Sequence, residues 1–323
     1  MHITYYVTWL KAFRESAEVI CQLYNGEDFI FEDPMLDQHN VCTQADLHRT
    51  FVPYANKDPE NGVGIHNFRV RSYTGDRNSG LLRWEWSPEH AAMFLGIDVA
   101  NKPFTTHGHT FHQFTSDGKI KRESSWWDAS EVLRQTYDVK PTKSVTGTKG
   151  PVPVSATPTQ ITGEGKEAAQ QWATALGGDF STLAGLYSSD YFTVDTHKID
   201  DHELDTANDV AGLASKLGGL SSGENGRYTF TVSDVFEGNG HRLIHWDVTI
   251  EGATTFRGIP TGGKTLTGIG STFHEFDESG YIRLESTFWE DNRIFVQLGL
   301  PIIRPHYWKA DFDMEAFAAS LGA

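Results

Sequence analysis

HGHTFHQFTSDGKIKRESSWWD, residues 107–128, returns 162 positions later as IGSTFHEFDESGYIRLESTFWE, residues 269–290. The first copy reads as two strands joined at TSDG, with side chains alternating between two faces. His112, Glu123 and Trp127 recur as His274, Glu285 and Trp289. The same offset aligns residues 81–135 with 243–297 without a gap, pairing Trp84 with Trp246, Gly108 with Gly270 and Gln135 with Gln297. An offset of 163 aligns the beginnings, Trp9 with Trp172, Tyr24 with Tyr187 and Phe29 with Phe192. A repeat as long as a domain is a tandem duplication and not a solenoid.

A chain of 323 residues has room for two cores of ordinary size. VKPTKSVTGTKGPVPVSATPTQIT, residues 139–162, is rich in Pro, Thr, Gly and Ser and reads as an extended linker. The expected organisation is a first copy at 1–138, the linker at 139–162, a second copy at 163–300 and a tail at 301–323. A formal net charge of −16 and a pI near 5.2 argue against nucleic acid or an anionic membrane as partner. The two cysteines, Cys21 and Cys42, fit a reducing compartment. The opening MHITYYVTWLKAF has neither the basic flank nor the apolar core of a signal peptide, and no run is long enough to span a membrane. The expectation is a cytoplasmic protein.

Each copy orders its elements alike. Helical spacing comes first, around Trp9, Phe13, Ile20 and Leu23 and again over 164–187, with Ser16 and Asp179 as N-caps of a second short helix. A strand follows (FIFED; YFTVD), then a polar, helical stretch at 43–54 and 202–217. Long strands at 65–74, 80–96, 103–114 and 119–127 close the first copy. Helices followed by an antiparallel sheet that curls round them make an α+β plan.

FRGIPTGGKTLTGIGSTFHEFDESGYIRLESTFWEDNRIFVQLGL, residues 256–300, resembles the closing half of a SnoaL-like domain. That family belongs to the nuclear transport factor 2-like, or ketosteroid-isomerase-like, superfamily. The Gly-Ile-Pro-Thr-Gly-Gly-Lys turn, the Gly-x-Ile hairpin and the Gln-Leu-Gly ending carry the resemblance, and the first copy keeps the pattern without the Pro-Thr-Gly turn. The resemblance implies two cone-shaped domains packed as a pseudo-dimer, with room for a further homodimer. It also implies a deep cavity between helices and sheet in each. Polyketide cyclases of the family carry a His and an Asp where this chain has Thr110 and Ser125, and again Thr272 and Thr287; neither copy has them.

If Phe114 lies opposite Lys119, then His112 pairs with Lys121, Thr110 with Glu123 and Gly108 with Ser125, all on one face with Trp127. His107, His109, Phe111, Ile120, Ser124 and Trp126 take the other face, a candidate interdomain or dimer surface. His112 with Glu123, and His274 with Glu285, are then candidate acid–base pairs. They are equally well read as cross-strand scaffold. Asp33, at the end of FED, is either a cavity acid or a turn former before Pro34. Thr110, Ser125, Trp127, Thr272, Thr287 and Trp289 are candidate substrate contacts, with Asp195 and His197 as further polar candidates. Asp128 and Glu290 read as helix caps. No metal site is expected, since His112 points away from His107 and His109. The expected function is a cofactor-independent acid–base enzyme of isomerase, cyclase, dehydratase or lyase type. Its substrate would be a hydrophobic oxygenated small molecule such as a polyketide, steroid or terpenoid. The alternative is a non-catalytic binding or assembly module. Of the two copies the first, with its more polar strands, is the expected working one.

Overall fold

The computed structural model of the chain describes residues 2–54, 65–89, 93–94, 97–98, 105–129, 157–190, 192–197, 204–207, 209–217, 220–221, 223–300, 302 and 304–320. The expected helix after Trp127 and the linker up to residue 156 lie outside the described residues. The chain divides into two compact units, residues 1–139 together with 302–323, and residues 140–301.

In the first unit the order is α1 (His2–Glu15), α2 (Ala17–Cys21), β1 (Ile30–Asp33), β2 (Gln38–Val41), α3 (Gln44–Phe51), β3 (Ile65–Gly75) and β4 (Ser79–Glu89). A short hairpin of β5 (Met93–Phe94) and β6 (Ile97–Asp98) comes next, then β7 (Thr106–Phe114) and β8 (Ile120–Trp127). Six of the strands form one sheet in the order β2-β1-β8-β7-β4-β3. The second unit repeats the plan: α4 (Gly165–Gly177), α5 (Phe180–Ala184), β9 (Thr193–His197), β10 (Leu204–Ala207), α6 (Val210–Leu217), β11 (Arg227–Gly238) and β12 (His241–Glu251). It ends with the hairpin β13 (Thr255–Phe256) and β14 (Ile259–Pro260), then β15 (Leu266–Phe276), β16 (Ile282–Glu290) and α7 (Asn292–Gln297). Its sheet runs β10-β9-β16-β15-β12-β11, the same order strand for strand. The helix α8 (Met314–Ser320) closes the tail.

The expected α+β plan holds, with two differences. The sheets are mixed: β1 pairs with β8 in parallel, Phe31 beside Glu123, and β9 pairs with β16 in parallel, Val194 beside Glu285. β1 leaves the helices and enters the sheet beside the last strand, so it cannot be joined to that strand by a hairpin. Two short strands, β2 and β10, also lie where loop or helix was expected. Ser16 and Asp179 do cap α2 and α5, accepting from the backbone N–H of Val19 and Thr182 at 3.3 and 3.0 Å.

The hairpin register differs from the expected one by two residues. His112 faces Glu123, Thr110 faces Ser125 and Gly108 faces Trp127, while Phe114 faces Ile120. A β-bulge at Lys121 absorbs one extra residue, and the same bulge recurs at Arg283 between Phe276–Ile282 and Glu275–Leu284. The side-chain period is two, so a slip of two keeps His112, Thr110, Glu123, Ser125 and Trp127 on one face. The bulge, however, turns Ile120 to the side of Phe114. There it is fully buried and bridges Tyr24, in place of the opposite face expected for it. That opposite face is also buried: His109 and Phe111 have no exposure and Trp126 has 2%.

An aromatic core fills the space between helices and sheet. Trp9 and Phe13 of α1 and Phe51 of α3 meet Phe68, Trp84, Trp86 and Trp127 of the sheet, all buried. Phe13 packs edge-on against Phe68 at 4.7 Å and Trp86 against Trp127 at 6.3 Å between ring centres. Each such side chain contributes on the order of 2–3 kcal/mol by leaving water.

Candidate active site

The hairpin face that looks into the first unit carries a closed hydrogen-bond chain. Trp84 Nε1 donates to Thr110 Oγ1 at 2.9 Å, and Thr110 shares a 2.9 Å bond with Ser125 Oγ. Ser125 reaches Glu123 Oε1 at 3.4 Å, while Glu123 Oε2 accepts from the Tyr24 hydroxyl at 2.5 Å and from His112 Nε2 at 2.8 Å. Both oxygens of this fully buried carboxylate are therefore engaged. Burial first, and then the charge of Glu123, hold the Tyr24 hydroxyl protonated far above its ordinary range.

The second unit builds the same chain. Trp246 Nε1 donates to Thr272, Thr272 to or from Thr287, and Thr287 to Glu285, at 3.0, 2.9 and 3.0 Å. Glu285 Oε2 then takes Tyr187, His274 and Trp172 at 2.7, 3.0 and 3.1 Å. Burial holds His274 below the usual histidine range, which keeps its ring neutral at pH 7 despite the carboxylate beside it.

The expected pairs His112–Glu123 and His274–Glu285 are thus brought together. They sit in duplicated networks in which the Nδ1 atoms of both histidines are buried without a partner, and His112 packs its ring among Tyr5, Trp9 and Phe114.

The first unit's cavity lies next to this network. It measures about 50 Å³, the room of a few water molecules, and is partly open to solvent. Phe13, Phe31, Phe51, Phe68, Trp84 and Trp86 make most of its wall. Of the expected residues, Asp33, Thr110, Glu123, Ser125 and Trp127 line it, whereas His112 stands one step back from it. Asp195 and His197 lie on β9 of the other unit, with side chains outside the described residues. Asp128 is buried, and Glu290 accepts from the N–H of Arg293 at the start of α7, as a cap does.

Asp33 is the group on which the two copies part. Its carboxylate accepts from Trp127 Nε1 at 3.1 and 3.0 Å and from the backbone N–H of Met35 at 3.1 Å. Burial pushes its pKa up to about 7, with the Glu123 charge adding to the rise and the hydrogen bonds opposing it. Since Phe31 pairs with Glu123 and Val194 with Glu285, the position of Asp33 is taken by Thr196 in the second unit. Phe13 and Trp86 have Leu176 and Val248 as counterparts. Trp9 differs in its bonding as well. Its counterpart Trp172 donates to Glu285, while the buried Nε1 of Trp9 has no partner.

The residues missed by sequence reading are Gln38, Thr50 and Tyr54, which line the cavity, and Tyr307, which is bonded to all three. Gln38 sits opposite Asp33 across the β1–β2 pair. A strand reading of QHNV would have found Gln38. No local signal ties Tyr307 to a site more than 250 residues earlier (Thr50 and Tyr307 are 257 apart).

Residues 61–136 match the family model described as SnoaL-like polyketide cyclase. That match lies within the first unit, and the second unit has the same sheet order. Among solved structures the chain is similar to AclR of Streptomyces galilaeus, a proposed hydroxylase. The match has 15% identity and a TM-score of 0.35, over 48% of this chain and 87% of that one. It is also similar to IdmH of Streptomyces antibioticus, a proposed polyketide cyclase, at 20% identity and a TM-score of 0.34, over 41% and 95% of the two chains. A Catenulispora acidiphila protein with a ketosteroid isomerase-like fold, solved with trimethylamine, matches at 16% identity and a TM-score of 0.33, over 41% and 92%. No curated protein matches the chain. Among the described residues no helix is long and apolar enough to cross a membrane.

Proposed function

We propose that the first unit is an acid–base enzyme of the cyclase or isomerase type, and that Asp33 is its proton-transferring group. The observation that carries this reading is a carboxyl poised at about 7 in an aromatic cavity, held by Trp127, with no counterpart in the second unit. A base works best when its pKa lies near the operating pH, because both protonation states are then populated. The ionised Asp33 takes a proton from carbon beside a ketone, and the electron pair moves into the carbonyl as an enolate. The Trp9 indole N–H, which has no partner in the wall, donates to the developing oxygen. Returning the proton to another carbon gives isomerisation; attack of the enolate on a second carbonyl gives ring closure. The name of the matching family, polyketide cyclase, points to substrates of this kind.

His112 and Glu123 then serve the site by fixing the wall and by adding negative charge beside Asp33. This moves the proton-transfer role from the paired histidine to the lone acid, because the histidine pair recurs in both units and His112 does not line the cavity, whereas Asp33 lines it and has no counterpart.

The test is the simplest partial reaction. Proton exchange next to the carbonyl of 2-tetralone, a bicyclic ketone, is followed by NMR in heavy water. Wild type should accelerate it with a rate that rises with pH to a midpoint near 7, the value given for Asp33. Asp33→Asn should remove about 10²–10⁴-fold of the acceleration. Binding of the ketone without exchange by the wild type would leave the protein as a binding module and sink the enzyme reading.

A further inference from the structure

The C-terminal tail belongs to the first unit, and its Tyr307 reaches the wall of that unit's cavity. The tail is tied down on either side. His306 meets Asp37 at 2.7 Å, and Arg49 Nε donates to the Trp308 carbonyl at 2.7 Å, with the Trp308 side chain buried. The Tyr307 hydroxyl spends its only proton on the Thr50 carbonyl, at 3.1 Å. Toward Gln38, 3.1 Å away, it can act only as an acceptor, so the Gln38 amide must turn its NH₂ to Tyr307. Its Oε1 is left buried, in a cavity-lining side chain with no exposure, and without a hydrogen-bond partner. The hydroxyl of Thr50, another lining residue, is also buried without a partner. An unpaired buried acceptor is costly in the free protein and is repaid when a ligand supplies the donor.

We propose that Tyr307 is a positioning residue for ligand recognition: it locks Gln38 so that Oε1 accepts a hydroxyl from the ligand, beside the oxygen that meets Asp33. Asp33 and Gln38 are direct partners across β1 and β2, so their side chains address neighbouring atoms. The ligand class is then a ketone or enol with a hydroxyl on the adjoining carbon, carried on an apolar body that fits the aromatic wall. A ketone lacking that hydroxyl leaves Gln38 unpaired and is discriminated against. This inference rests on the acid–base reading for the placement of the first oxygen only; the second oxygen is set by Gln38 and Tyr307.

The experiment compares two probes on the full chain by isothermal titration. 2-Naphthol mimics the enol of a bicyclic ketone, and 2,3-dihydroxynaphthalene adds the neighbouring hydroxyl. Wild type should prefer the diol by about tenfold, the worth of one hydrogen bond to a buried acceptor. Tyr307→Phe, which frees the amide to rotate, and Gln38→Met, which removes the acceptor, should each bring the preference down toward unity. Gln38→Glu, which keeps an acceptor, should restore part of it. Circular-dichroism melting of each variant separates loss of recognition from loss of folding, since the ratio of two affinities is read only on folded protein. No diol preference in the wild type, or a preference that survives both Tyr307→Phe and Gln38→Met, overturns the inference. Asp33→Asn keeps the two readings apart. If 2-tetralone exchange survives that variant the acid–base reading falls, while the diol preference still decides the role of Gln38.

Discussion

At the scale of single residues, Asp33 links the site to stability. Its folded pKa, about 7, lies above the ordinary 3.8, so the folded state holds the proton more tightly than the unfolded one. The stability this group contributes is fully present below pH 3.8 and is lost as the pH rises through about 7. Each pKa unit corresponds to about 1.4 kcal/mol, which makes the penalty at pH 8 a few kcal/mol. Asp33→Asn keeps an acceptor for Trp127 and carries no charge. It should therefore melt higher than the wild type at pH 8, and the gap should close by pH 4; calorimetry over that range checks it. A gap independent of pH would mean that Asp33 is not buried as a titrating acid. Asp33 was legible in the sequence only as an even choice between cavity acid and turn former. The structure gives it both surroundings, because the Met35 N–H and the Trp127 indole hold the same carboxylate.

Among the elements, the hairpins show how far sequence reading carries. Alternation placed His112, Thr110, Glu123, Ser125 and Trp127 on one face, and that face was right because the error in register was even. The bulge at Lys121 was not legible, since one extra charged, exposed residue leaves no mark in the pattern. The parallel entry of β1 was hidden for another reason: partners joined by long connections are not set by local sequence. The glycines of the hairpins carry a prediction that treats both units alike. A Cβ at Gly108 would overlap the Trp84 ring, and one at Gly270 the Trp246 ring. Each ring holds its indole N–H on Thr110 or Thr272. Gly108→Ala and Gly270→Ala should each cost about 1–3 kcal/mol, the usual range for overpacking, with a change in near-ultraviolet circular dichroism from the displaced indole. A neutral Gly108→Ala would show that the ring has room to move and that the chain from Trp84 to Glu123 does not fix the wall.

For the whole molecule, the duplication made the fold readable and also misdirected the search for the site. What the copies share is what the fold needs, namely the Trp–Thr–Glu–Tyr chain. What separates them, Asp33 against Thr196 and Trp86 against Val248, is where the chemistry is proposed. Gln38 and Tyr307 stayed out of view because one sits in a four-residue strand and the other belongs to a tail with no counterpart in the first copy. The tail's part in the first unit is open to measurement. Tyr307→Ala should speed amide hydrogen exchange over β1, β2 and α3, which hold Gln38 and Thr50, while β11, β12, β15 and β16 keep their wild-type protection. Equal exchange in both proteins would mean that the tail is not part of the first unit's stability. Chain order gives this arrangement a kinetic meaning. The first unit's strands leave the ribosome well before Tyr307, with the entire second unit between them. At about 5–20 residues per second, that interval is roughly 10–30 s. During it the first unit can fold, but Gln38 is without its Tyr307 partner until the tail has been made.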